Sequence, residues 1–329
     1  MTTMFKKVFS VRFAWALCML LGVVGAFAQA DSSRDTPKVP LPACKGGSST
    51  VWDQCIGSQT LKSGRYVGQF KLGQRFGRGK LTEPNGDEYD GEWVDGRREG
   101  YGTTTYFNGD RYEGLWKADK RDGRGTYRFN NGDTYEGDFS LDLRTGSGTY
   151  SRSDGKVYRG RFLEGKFHGE GREELPGGTV YEGKWEGGEL RTGVMIHVSG
   201  LRYEGMFSIV DGRRLFNGRG VLRFAQGDRF EGVFTAGVGK GRGTYFFKNG
   251  DVFEGEFEAG LMSGQGRLTL KDKRLFVGSV KEGKANGDGI LYSESGTKLA
   301  SGYWENNRLI VSETFDSGRF PFKKSGNDS

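Results

Sequence analysis

From residue 66 onward the chain alternates aromatic or small residues with polar ones at a period of two. Tyr66, Gly68 and Phe70 lie on one side of this alternation, and Val67 and Gln69 lie on the other. A strand sends successive side chains to opposite faces, so each such run predicts a strand with two rings flanking a bare glycine. The run returns as Tyr89-Asp90-Gly91-Glu92-Trp93, Tyr112-Glu113-Gly114-Leu115-Trp116 and Tyr135-Glu136-Gly137-Asp138-Phe139. Tyr158 to Phe162, Tyr181 to Trp185 and Tyr203 to Phe207 follow, and Phe leads the copies at 230, 253 and 276. A second strand is predicted around each Gly-x-Gly, as in Gly77-Arg78-Gly79 and Gly123-Arg124-Gly125. Asn85-Gly86, Asn108-Gly109, Asn131-Gly132 and Asn249-Gly250 then predict tight turns of type I′, in which both central residues take positive φ.

The leading aromatics stand at 66, 89, 112, 135, 158 and 181, a constant step of 23, followed by steps of 22, 27, 23 and 23. This makes ten strand–turn–strand–turn units and a partial eleventh around Gly302 and Trp304. An isolated hairpin is marginal in water, so each unit must stack on its neighbours. The expected fold is all-β, an elongated single-sheet solenoid of stacked antiparallel hairpins. At about 4.8 Å per strand it would extend on the order of 100 Å before twist shortens it.

These motifs, over residues 66–305, resemble the MORN repeat family. The resemblance implies an elongated, grooved sheet and roles in scaffolding, protein binding or membrane association. Family members often carry the repeats beside a catalytic domain. Residues 31–65 and 306–329 are too short to be one.

Composition sharpens the picture. The 329 residues include 58 Gly, 24 Phe, 14 Tyr and 6 Trp, but only 34% hydrophobic residues. A thick aliphatic core is excluded, as is a disordered chain, which would be poor in aromatics. Lys6, Lys7 and Arg12 precede or open an apolar run from Phe13 to Phe27, and Ala28-Gln29-Ala30 follows. This predicts a signal peptide over 1–30, with export to a bacterial periplasm, or secretion from another source. The run is too short for a membrane span, so the processed chain is expected not to be transmembrane. Cleavage after Ala30 would remove these three cations and Cys18, lowering the formal charge from +7 to +4 and leaving two cysteines. Cys44 and Cys55, in a Gly/Ser-rich stretch of an exported chain, are expected to form a disulfide. The segment 31–65 would then be a linker and disulfide cap, with Trp52 over the first repeat, and 306–329 a C-terminal cap or tail.

Little in the chain points to catalysis. His168 lies at a repeat turn and His197 reads as a strand position, and both are expected to be structural. The carboxylates recur with the repeat, as a solvated face would. No catalytic residue, cofactor or metal site is expected. The reading is a non-catalytic scaffold of the cell envelope whose partner is another envelope protein. The alternative is direct binding of a glycan or an anionic lipid through the aromatic groove. Its candidate surface is Tyr89, Trp93, Tyr112, Trp116, Tyr135, Phe139, Tyr158, Phe162, Tyr181 and Trp185, with Arg78, Arg124, Arg219 and Arg242 nearby to hold anions. Export and the modest charge argue against nucleic acid. One segment, 190–217, breaks the pattern. Gly193-Val194-Met195 replaces Gly-x-Gly, and four extra residues fall in the turn Ile209 to Asn217. This turn is read first as a tolerated insertion, and alternatively as a bend or a partner-specific protrusion exposing Ile209, Leu215 and Phe216.

Overall fold

The computed structural model describes residues 40–322, of which 41–322 belong to one unit. The expected signal peptide, most of the linker ahead of Cys44 and the last seven residues lie outside the described residues. Within them the chain forms 23 strands in one antiparallel sheet and two single turns of 3₁₀ helix, at Ser49–Val51 and Ser317–Arg319. Every strand pairs with the next in sequence. β1 (Cys55–Leu61) pairs with β2 (Gly64–Lys71), β2 with β3 (Gln74–Thr82) and β3 with β4 (Glu88–Val94). The meander continues to β22 (Lys298–Glu305) and β23 (Arg308–Ser312).

A single sheet buries a core because its rings lie down on its own backbone. Gly68 faces Gly79 across β2 and β3, and Tyr66 covers both. A Cβ on Gly79 would stand 2.1 Å from the Tyr66 hydroxyl oxygen, so only glycine fits beneath the ring. The Tyr66 hydroxyl donates to the Gln69 carbonyl at 3.0 Å, and Tyr89, Tyr112, Tyr135, Tyr158 and Tyr203 repeat this bond three residues on. The carbonyl sits at a β-bulge, where Phe76, Gly77 and Arg78 oppose Gln69 alone. Gly77 takes φ +61° there, a left-handed conformation that favours glycine.

The Asn-Gly turns differ from the sequence expectation. Asn85 keeps negative φ and only Gly86 is positive, with Gly86 N–H donating to the Glu83 carbonyl. This is a type I turn closed by a glycine bulge rather than type I′. Asn85 instead accepts from the Asp87 amide at 3.0 Å, a local side-chain turn that fixes Asn-Gly-Asp. Positive φ at both central residues occurs in the other turn, at Leu72-Gly73, Ala118-Asp119 and Leu141-Asp142.

The irregular segment is also built differently from its expectation. In the hairpin of β12 (Val180–Glu186) and β13 (Glu189–Ile196), Gly193 faces Gly183 and is thus the second glycine of its triplet. The first is missing and the bulge is one residue shorter, which accounts for the step of 22. The four extra residues form no loop. They add two cross-strand pairs, Ile209–Arg214 and Val210–Arg213, to β14 (Arg202–Val210) and β15 (Arg213–Arg223). His197 opens the turn after β13 rather than lying in a strand, with its ring 2.8 Å from the Ser199 hydroxyl.

Candidate functional site

The inner face of the sheet carries the aromatic row proposed as a binding groove. Ring contacts zigzag along it edge to face: Trp52–Phe70 at 4.8 Å, Tyr66–Trp93 at 5.3 Å, Tyr89–Trp116 at 5.4 Å and Tyr112–Phe139 at 5.2 Å. Tyr135–Phe162 and Tyr158–Trp185 carry it on. Tyr66, Tyr89, Tyr112, Tyr135 and Tyr158 each also meet the ring four residues ahead in their own strand, as Tyr89 meets Trp93. Trp93, Trp116 and Trp185 donate their indole N–H to the carbonyls of Gly79, Gly102 and Gly171 in the preceding unit.

The rings of this row are largely buried rather than exposed. Tyr89, Trp93, Tyr112, Trp116, Tyr135, Phe139, Tyr158, Phe162 and Trp185 are each at most 4% exposed. What covers them was written in the sequence but overlooked. Nine residues after each of the first four leading tyrosines stands an arginine: Arg75, Arg98, Arg121 and Arg144. Their guanidinium groups lie 4.3 Å from Trp93, 4.4 Å from Trp116, 5.5 Å from Phe139 and 5.7 Å from Phe162. Each also donates to a carbonyl in the next unit's first turn, at Gly96, Asp119, Asp142 and Gly165. Cation–π attraction and a hydrogen bond thus tie each unit to its neighbour. In later units Phe167 and Phe216 fill this position, stacked 3.7 Å from Tyr158 and 3.9 Å from Tyr203. Phe216 is therefore half-buried structure rather than protrusion, Tyr181 is half-buried beneath Arg214, and Ile209 is 38% exposed at the end of its hairpin.

A second row of contacts runs through the other turns. Asp110 accepts from the Tyr127 hydroxyl at 2.7 Å and from the Asn130 amide at 2.8 Å. Asp133 repeats this with Tyr150 and Ser153, and Asp228 with Tyr245 and Lys248. These bonds hold the Asp133 carboxyl below the ordinary range, through Tyr150 first and then the Ser153 amide.

Arg78, Arg124, Arg219 and Arg242, expected beside the rings, lie on the outer face. Arg78 faces Glu92 across β3 and β4, because the bulge at Gly77 resets the alternation. Near the N-terminal end this outer face is dished into an open trough of about 610 Å³, lined by Arg78, Lys80, Asp90, Glu92, Tyr101 and Arg111 among others. Its charges answer one another: Lys80 meets Glu88 at 2.9 Å, and Glu113 takes Arg111 at 3.0 Å and the Tyr101 hydroxyl at 2.6 Å. Among the described residues no group of three His, Cys, Asp or Glu could hold a metal, and no helix is long and apolar enough to cross a membrane.

Both ends of the sheet are finished by non-repeat chain. Cys44 and Cys55 form a disulfide, and the Cys44 amide donates to the Ile56 carbonyl while the Ile56 amide donates to Pro42. A short parallel segment thus covers the outer edge of β1, and Trp52 sits edge-on to Phe70. After β23 the chain crosses the outer face, where Phe315 and Phe320 bury Val277 of β20 (Leu275–Lys281) and Ile290 of β21 (Lys284–Tyr292).

The chain was compared with known families and structures. The MORN repeat family model matches nine segments: 66–88, 89–111, 112–134, 135–157, 158–180, 215–229, 230–252, 253–273 and 276–298. It passes over 181–214, where the hairpins nevertheless continue. No curated protein matches the chain. Among solved structures it is similar to the TCP10 domain of Danio rerio CPAP in complex with a peptide of STIL, at 15% identity and a TM-score of 0.39, over 75% of this chain and 98% of that one. It is also similar to the SAS-4 TCP domain of Drosophila melanogaster in complex with a proline-rich motif of Ana2, at 13% identity and a TM-score of 0.25, over 67% and 99%. The family match extends over more than half of the sequence and coincides with the hairpins of the sheet, so the chain belongs to the MORN repeat family.

Proposed function

We propose that this protein is a non-catalytic interaction scaffold of the cell envelope, acting through the outer face of its sheet. The observation that carries the reading is the division of labour between the faces. The inner face is filled by its own rings and arginines, whereas the outer face is broad, polar and open over most of its length. MORN repeats are protein-interaction modules, and the family match indicates no enzyme. Binding of a glycan by stacking on the aromatic row loses its physical basis, because those rings are buried. The envelope location rests on the signal-like N-terminus and on the cysteine pair, which suits an oxidising compartment.

The test is crosslinking of the full exported chain in intact cells, with the crosslinked positions mapped by mass spectrometry. A dominant protein partner attached through outer-face residues is expected. Retention on cell-wall polymer or lipid alone, with no protein crosslinked, overturns the scaffold reading.

A further inference from the structure

Many outward cations of the array face a carboxylate on the adjacent strand, as Arg78 faces Glu92 and Arg124 faces Asp138, but Arg213, Arg219 and Arg223 of the extended hairpin do not. β14 and β15 are followed by β16 (Arg229–Thr235) and β17 (Val238–Phe246). Alternation from the buried Tyr203, Phe207, Phe230 and Phe234 sends Arg213, Arg219, Arg223 and Lys240 to the outer face, and all four are exposed. Among the described residues none of the four has a carboxylate within ion-pair distance. The two outward carboxylates of these strands, Glu204 and Glu231, are taken by Arg202 at 3.2 Å and Arg229 at 3.2 Å.

The register makes this arrangement costly. Arg202 faces Arg223 across β14 and β15, and Arg223 faces Arg229 across β15 and β16, so three arginines stand on one rung. Like charges directly opposite one another destabilise a sheet. Between these cations Met206, Val210, Val233 and Val238 are 39–47% exposed on the same face. The surface is both apolar and unneutralised.

The same outer face shows how a segment docks on it. Over β20 and β21 the chain's own tail lays Phe315 and Phe320 on Val277 and Ile290, and Arg319 meets Asp288 at 2.5 Å. There the sheet supplies aliphatics and a carboxylate, and the tail supplies rings and a cation. Over β14–β17 the sheet supplies aliphatics and cations, so the complementary segment carries apolar side chains and carboxylates.

We propose that the outer face of β14–β17 binds an acidic segment of the partner protein, alternating carboxylates with aliphatic or aromatic side chains. This rests on the scaffold reading and places its contact surface. The extra rungs of the β14–β15 hairpin widen the platform, adding Val210 and Arg213 beyond Leu215.

The test uses the full chain and a dye-labelled peptide alternating Glu with Leu and Phe, with a Lys-for-Glu counterpart, followed by fluorescence anisotropy. The acidic peptide is expected to bind and the basic one not, with affinity falling as salt rises. Arg213→Glu/Arg219→Glu/Arg223→Glu should weaken it about tenfold or more, whereas Arg78→Glu/Arg124→Glu should not. The milder Arg219→Gln/Arg223→Gln serves if the triple reversal disturbs folding, monitored by circular dichroism. Equal weakening by both reversals, or by neither, overturns the site. So does binding only to phosphatidylglycerol vesicles, or self-association that the triple variant abolishes without peptide binding. Crosslinking distinguishes the two levels of the argument. A protein partner held elsewhere on the outer face removes this site and leaves the scaffold, whereas no protein partner removes both.

Discussion

Arg214 meets Glu173 across 41 residues of sequence, at 2.6 Å, with its guanidinium 4.3 Å from the Tyr181 ring and 4.7 Å from Trp185. Each residue is a departure from the repeat. Glu173 faces Tyr158 where Tyr127 and Tyr150 face Tyr112 and Tyr135, and Arg214 lies in the lengthened hairpin. Two irregularities therefore complete one another over the stretch where the family pattern lapses.

Breaking the pair from one side should be worse than removing both members. Arg214→Met leaves a largely buried carboxylate unanswered, at a cost of about 3 kcal/mol. Glu173→Gln/Arg214→Met should recover much of that loss. Urea midpoints of the two single variants and the double variant form the cycle that checks this coupling.

The arginine ladder depends on a flat guanidinium. Arg98 both stacks on Trp116 and donates to the Asp119 carbonyl at 3.1 Å, and an ammonium cannot do both. Arg98→Lys should cost about 1 kcal/mol. Hydrogen exchange should quicken in the hairpins flanking Arg98 and leave those beyond residue 230 unchanged.

The leading tyrosine is a hydrogen-bond device as well as a ring. Tyr112→Phe removes the bond to the Leu115 carbonyl and should cost about 0.5–1.5 kcal/mol in thermal or urea unfolding. Phe230, Phe253 and Phe276 already lack the hydroxyl, so their units should be the first to exchange.

Burial pushes the Tyr158 and Tyr203 hydroxyls up to about 12, against about 10 for an unfolded tyrosine. Their folded values are raised, so their contribution is fully present below about pH 10. It is lost as pH rises through about 12, because the unfolded chain releases phenolic protons that the folded chain retains. The part of the phenolate absorbance that Tyr158→Phe/Tyr203→Phe removes from an alkaline titration should be the part that rises together with unfolding. Its appearance while the sheet stays intact would contradict this.

The Cys44–Cys55 bond closes a loop of about twelve residues, worth roughly 2–3 kcal/mol in the chain-entropy account. Replacing both cysteines with serine should release the parallel segment from β1 and increase association through the uncovered edge, visible by sedimentation. The central hairpins should keep their exchange protection.

The strands and the aromatic–glycine face were legible because alternation and the 23-residue step are local properties. The fate of that face was not. Whether Trp93 is a surface or a core depends on Arg75 in the unit before it, and no pattern within one unit shows that arginine lying down on the ring. The type of the Asn-Gly turns was not legible because Asn-Gly suits two geometries, and the bond that the Asp87 amide donates to the Asn85 side chain selects the type I form. Positive φ at Leu72 and Ala118 left no mark in their residue types. The extra residues at 209–217 looked like a loop because only pairing reveals that they extend two strands. The tail's crossing over Val277 and Ile290 depends on chain reversal beyond β23, which has no periodicity to read.

Contacts between units reach one unit ahead at most in the first half of the array: Asp110 to Asn130, Arg98 to Asp119, Tyr89 to Trp116. A gene encoding this stretch could gain or lose a whole 23-residue unit by unequal recombination, and every joint would be rebuilt from identical parts. Across the Glu173–Arg214 bond that freedom ends. Excising residues 181–202 would remove the two rings on which Arg214 rests, and duplicating them would carry Glu173 out of its reach. The length of the array is thus free to drift ahead of residue 157 and is locked in its middle by a single ion pair.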